Sequence, residues 1–137
     1  MSKSEIIVNK MYNKDAFSKW LGIKLIEIRE GYCKLSMNIK KDMLNGFSIA
    51  HGGITYSLAD SALAFAANTY GKKCISIETS ISHTESCKEG DVLTAITKEL
   101  SKTDKIYIYL ITITNQNNKE VAIFKGSVYC TSKDWSF

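Results

Sequence analysis

The sequence predicts an α+β fold in which an antiparallel sheet curls around one long helix, and three observations predict it. Apolar residues recur every three or four positions in a long alanine-rich stretch, residues 53–68. Segments on both sides of it switch to a period of two and are rich in Ile, Val, Thr and Tyr. A lone apolar helix must bury its surface against something, and six strand-like segments are enough to surround it.

Taken in order, residues 4–20 read as one or two short helices, with Ile7, Met11, Phe17, Trp20 and Leu21 as the apolar face and Asn13-Lys14-Asp15 as a break and cap. Such a segment would flank the core or cover it. Residues 23–28 and 32–39 alternate around a turn at Glu30-Gly31, the pattern of a hairpin. Residues 40–52 have no period and carry Asn45-Gly46 and the first glycine of Gly52-Gly53, so they form a loop feeding the long helix, which Tyr70-Gly71 stops. Strands follow at 74–83, 92–100, 105–114 and 121–130, separated by polar turns, and the last three read as an antiparallel meander. The chain contains no proline, so no strand is demoted to an edge on that ground.

Chemistry concentrates between Asn45 and Asp60. Two glycines at a helix start leave backbone N–H groups unobstructed at the positive end of the helix dipole, where a developing negative oxygen is held. Plain loop geometry also explains Gly-Gly at such a place. Asp60 falls among Leu58, Ala59, Ala62 and Leu63, where a carboxylate is costly unless it is exposed, paired or used. It is either a solvent-facing residue or a general base or nucleophile tuned by its surroundings.

The pattern Asn45-Gly46, His51-Gly52-Gly53, Leu58-Ala59-Asp60 with alanine-rich helix beyond it resembles the hotdog-fold thioesterases, above all the phenylacetate-degradation (PaaI-like) branch. The resemblance runs from Asp15 to Tyr129. It implies a six-stranded antiparallel sheet wrapped around the helix, dimers made by joining sheets, and a dimer of dimers, hence a homotetramer. It implies hydrolysis of an acyl-CoA thioester, possible acyl groups being aryl or arylacetyl, with no metal and no cofactor beyond the coenzyme A of the substrate. Carried onto this chain, the Gly53 N–H would polarise the thioester carbonyl, Asn45 would orient it, and Asp60 would activate water or attack directly. His51 would shape the loop and donate or accept a hydrogen bond, with Gly52 beside it in the substrate site. Ser76 would help Asp60 hold water; alternation puts it on one strand face with Glu78, Ser80 and Ser82, which is equally the pattern of simple solvent exposure.

Residues 82–88, Ser-His-Thr-Glu-Ser-Cys-Lys, depart from the family, whose members usually carry an aromatic and a Leu-Arg-Pro-like turn there, so acyl specificity and coenzyme seating are not carried over. Lys72, Lys73, Lys102, Lys105 and Lys125 are candidates for the coenzyme phosphates. Gly53 and Asp60 are seven residues apart, about 10 Å along a helix. That is too far to serve one carbonyl, so each site is expected to be shared between two chains. A hotdog dehydratase or hydratase and a non-catalytic acyl-CoA binding module are the alternatives. A dehydratase is expected to use a His-led acid–base pair, and the retained Asn45, Gly53 and Asp60 speak against a mere binder.

Bulk properties narrow the rest. The length suits one domain over 1–137, and 45% hydrophobic with 23% charged residues is ordinary globular composition. The net charge of +4, 18 minus 14, is scattered, with no basic run or nucleic-acid signature, so nucleic acid is not expected as a partner. Neither a signal-peptide core nor an apolar run of membrane length is present, which predicts a cytoplasmic protein. Cys33, Cys74, Cys87 and Cys130 lack metal-site spacing and are expected as reduced thiols.

Overall fold

A computed structural model describes residues 1–136. The chain opens with helix α1 (Lys3–Asn13), whose first turn is closed by a reciprocal pair: the Glu5 N–H donates to Ser2 Oγ and the Ser2 N–H to Glu5 Oε1, both at 3.2 Å. Helix α2 (Ala16–Leu21) starts at Asp15, whose carboxylate accepts from the Ser18 N–H, and stops at Gly22 with φ +75°, a conformation that suits glycine. The break expected at Asn13-Lys14-Asp15 is therefore real and separates two helices. Phe17 and Trp20 do not face the core as expected; they stack on each other in the open, ring centroids 5.9 Å apart, because a six-residue helix turns only Ser18 and Leu21 inward.

Strands β1 (Lys24–Arg29) and β2 (Tyr32–Asn38) form the hairpin. One 3₁₀ turn (Lys41–Met43) leads into the central helix α3 (Gly52–Asn68). Then come β3 (Lys72–His83), β4 (Val92–Lys102), β5 (Ile106–Thr114) and β6 (Glu120–Asp134). All six strands join one antiparallel sheet in the order β1-β2-β4-β5-β6-β3, which wraps α3. Among the described residues, no helix is long and apolar enough to cross a membrane.

Helix α3 is apolar around most of its circumference, which is why it can be enclosed. Leu58, Ala62, Leu63, Phe65 and Ala66 are buried against Leu35, Met37, Leu93, Tyr109, Ile111 and Phe124 of the sheet. Sheet and helix come so close at Gly126 that a Cβ there would lie 2.5 Å from Leu63 Cδ2. Helices α1 and α2 cover part of the far side, Ser18 Oγ meeting Ser61 Oγ at 2.8 Å. Seven residues of α3 are incompletely buried, Gly52, Gly53, Tyr56, Ser57, Asp60, Ser61 and Ala64. Tyr56 is bonded to Thr79 of β3 and Ser61 to Ser18 of α2, while Gly53, Ser57, Asp60 and Ala64 recur at three- and four-residue steps as one partly open stripe.

Two expectations about β3 are corrected. A bulge at Ile77, between the pairs Ser76–Val128 and Glu78–Ser127, inserts one residue and reverses the alternation. Ser76 consequently points to the helix side with Cys74, followed by Thr79, Ile81 and His83, while Glu78, Ser80 and Ser82 point away. Cys74 and Cys130 are the second correction. They are 56 residues apart in sequence but directly opposed in the β3–β6 register, with Cα atoms 4.2 Å apart, and they form a disulfide. Cys33 and Cys87 are free and buried.

Candidate active site

The loop before α3 is tied down at both ends, which gives the helix a fixed point of entry. The Asn45 N–H donates to Ile49 O at 2.8 Å, the Ala50 N–H to Cys87 O at 2.7 Å, and the His51 N–H to Met43 O at 2.9 Å. Asn45 Oδ1 turns back on its own loop and accepts from the N–H groups of Phe47 and Ile49. Its –NH₂ end makes no hydrogen bond among the described residues and is left as a donor.

His51 is the N-cap of α3, and its ring Nδ1 accepts the Gly53 N–H at 2.8 Å. Accepting that bond requires Nδ1 to be unprotonated, so a neutral His51 carries its proton on Nε2. The Gly53 N–H, expected to face a substrate carbonyl, is in this structure bonded to the preceding imidazole. The unused donor is one residue earlier. Among the described residues the Gly52 N–H has no hydrogen-bond partner, and Gly52 lines a cavity of about 400 Å³ together with Asn45 and Thr55.

The opposite wall of this cavity is the divergent segment from His83 to Cys87. His83 Nε2 lies 2.7 Å from Thr55 Oγ1, which also donates to Gly52 O at 3.1 Å, so the ring is pinned over the helix start. A Cβ on residue 52 would stand 3.2 Å from His83 Cε1. Neither Thr55 nor its partnership with His83 was legible in the sequence, because the bulge at Ile77 decides that His83 faces the helix at all. Cys87 also lines the cavity, but burial, then Asp91 and Glu85, push its thiol up to about 11, so it stays protonated at neutral pH and is a poor nucleophile.

Asp60 and Ser76 are not part of that cavity. Asp60 is half-buried on the partly open stripe of α3 and accepts no hydrogen bond among the described residues. Burial raises its carboxyl above the ordinary carboxylate value, and the neighbouring Asp15 adds to the rise. Ser76 is exposed on the helix side of β3. The unused donors at the start of α3 and the raised Asp60 carboxyl are thus separate, eight residues and about 12 Å apart along the helix.

The chain resembles other proteins in sequence and fold. The thioesterase superfamily model matches residues 47–122. A protein of Archaeoglobus fulgidus to which an esterase activity is ascribed is 39% identical over 131 residues, spanning 96% of this chain and 85% of that one. Acyl-coenzyme A thioesterase PaaI of Escherichia coli is 38% identical over 116 residues, 85% of this chain and 83% of its own. The solved structure of E. coli PaaI superimposes with a TM-score of 0.95, 34% identity in that superposition, and coverage of 98% and 97%.

Proposed function

Since the chain belongs to the thioesterase superfamily, we propose that it is a single-domain acyl-CoA thioesterase that splits an acyl-CoA into a free acid and coenzyme A without a cofactor or metal. The observation that carries the reading is the pair of unused donors, the Gly52 N–H and the Asn45 amide, at the N-terminus of a helix and in one cavity. There they would hold the carbonyl oxygen as it becomes an oxyanion. Asp60, raised by burial, would take a proton from water as the water oxygen bonds to the carbonyl carbon. The carbon–sulfur bond then breaks, and the thiolate leaves with that proton. Ser76 would help place the water, and His51 would hold the helix entry in shape through its bond to Gly53.

Because the donors and the base lie on one helix about 12 Å apart, the working site joins Gly52 of one chain to Asp60 of a second. Two features support a dimer. The stripe Gly53, Ser57, Asp60, Ala64 is partly open, and β3 is a twelve-residue edge strand with Ile75 and Ile77 in the open. Joining sheets at β3 would cover both, and pairing of such dimers would give the homotetramer. The similarity to E. coli PaaI, a protein from a phenylacetic acid degradation operon, supports a small aryl or arylacetyl group, and a coenzyme A thioester as substrate supports a cytoplasmic site of action. His83 on the cavity is the one feature a dehydratase would share, but its Nε2 is committed to Thr55.

The test is a panel of acyl-CoA thioesters followed by free-thiol release. Release of one thiol per acyl-CoA consumed is the expected result. Conversion of an acyl group with the thioester intact would make the protein a dehydratase, and binding without either would make it a carrier.

A further inference from the structure

A second cavity, about 600 Å³, lies toward the other end of α3. Its walls are Lys10, Lys14 and Asp15 from the α1–α2 corner, Lys73 from the start of β3, and Trp135 and Ser136 beyond β6. It shares no residue with the cavity at Gly52.

The indole of Trp135 is held in place. Its Nε1–H donates to Asn68 Oδ1 at 2.9 Å, its backbone N–H donates to Gly71 O at 2.8 Å, and Asn68 is itself buried and locked by the Cys74 N–H and Ala64 O. Lys73 Nζ stands 5.0 Å from the indole centroid, and Lys10 Nζ donates to Ser136 O at 2.6 Å. The one acid, Asp15, already caps α2 with both oxygens on Ser18. Three lysines less one aspartate leave a formal charge of +2 around a fixed aromatic ring.

An apolar ligand would have no use for three ammonium groups, and a bare phosphate would have none for the ring. A purine that carries phosphates uses both, since stacking on an aromatic contributes about 1–3 kcal/mol per base and lysine ammoniums serve as point charges for phosphate. The other lysine-bearing concavity, at Lys72, Lys102 and Lys105, is less available, since Lys72 is paired with Asp134 at 2.7 Å. Of the lysines nominated from the sequence only Lys73 belongs to the Trp135 cavity, and Lys10 and Lys14 join it there from the α1–α2 corner.

We infer that this cavity seats a phosphorylated adenosine, with the base against Trp135 and the phosphates among Lys10, Lys14 and Lys73. That chemistry has two sources, the nucleotide end of coenzyme A or a free adenine nucleotide. The first rests on the thioesterase reading. Asn68, which holds the indole, is eight residues beyond Asp60, about 12 Å along α3, a span that an extended pantetheine arm bridges.

The probe is adenosine 3′,5′-bisphosphate, titrated calorimetrically into the full chain and into Lys14→Glu/Lys73→Glu, with Lys14→Gln/Lys73→Gln as a second variant should the first fold poorly. Expected are saturable binding to the unmodified protein, at least about tenfold weaker binding to the variant, and weakening with salt in the unmodified protein. No binding at millimolar probe, or equal affinity for all three proteins, overturns the inference. The same variants separate the sources. A KM raised about tenfold for an acyl-CoA but unchanged for the same acyl group on pantetheine assigns the coenzyme; a KM unchanged for both, with bisphosphate binding still weakened, assigns a free nucleotide. Direct binding is read without turnover, so an inactive protein would sink the hydrolase reading and leave this one standing or falling by itself.

Discussion

Asp60 is a carboxylate held where ionisation is costly, and this has opposite consequences for rate and stability. Burial, with Asp15 beside it, raises its pKa in the folded chain, so activity is expected to fall as pH drops through that raised value. The stability contributed by such a group is present below its unfolded pKa and lost as pH rises through the folded one. Asp60→Asn should therefore lower turnover by roughly 10²–10⁴ and raise the melting temperature at neutral pH, with no gain in acid. A folded Asn variant with near-normal turnover would remove Asp60 from the chemistry. Gly52 offers a cleaner test of the oxyanion donor. It is the first residue of α3, where proline fits, and His51 before it is extended at ψ 139°, as a residue preceding proline must be. Gly52→Pro loses the N–H and should cost about 10²–10³ in turnover, while Gly52→Ala meets His83 at the same distance and keeps the donor. Equal loss in both would mean that crowding at His83, not the N–H, sets the rate. The sequence points to the Gly52-Gly53 pair without distinguishing its two donors, because only the cap geometry shows that His51 accepts the second one.

At the level of elements, the close contact of β6 with α3 predicts that Gly126→Val destabilises the protein by about 1–3 kcal/mol, readable as a shift of the denaturant midpoint at constant slope. An unchanged midpoint would show that Leu63 can yield. The β3–β6 disulfide predicts a thiol count: protein denatured without reductant should titrate two thiols, and four after reduction. Four thiols in both would mean that the pair is a dithiol as isolated. Helix α3 and all six strands were legible because alanine with three-and-four spacing and alternation with Ile, Val and Thr are local signals. What was not legible is non-local. The bulge at Ile77 has no residue that marks it, and it alone decides the facing of Ser76 and His83. The opposition of Cys74 and Cys130 depends on a register fixed by residues far away in the chain. Phe17 and Trp20 satisfied an apolar period that a six-residue helix does not bury.

For the whole molecule, the separation of donors and carboxyl along α3 makes a quantitative prediction about mixing chains. Co-refolding an Asp60→Asn chain with a Gly52→Pro chain, each inactive alone, should return about a quarter of normal activity, since half of randomly formed dimers are mixed and each regains one of its two sites. Recovery no greater than the parents' residual activity would place the whole site within one chain.

The partly open stripe of Gly53, Ser57, Asp60 and Ala64 has a further consequence for how the protein behaves when scarce. If the stripe is completed by a second chain, a lone chain is folded yet catalytically inert, and the active species forms by mass action. Specific activity then ceases to be a constant of the protein. Below the dimer dissociation constant it declines on dilution, with rate approaching the square of protein concentration, and the cell can set hydrolysis by how much of the chain it makes.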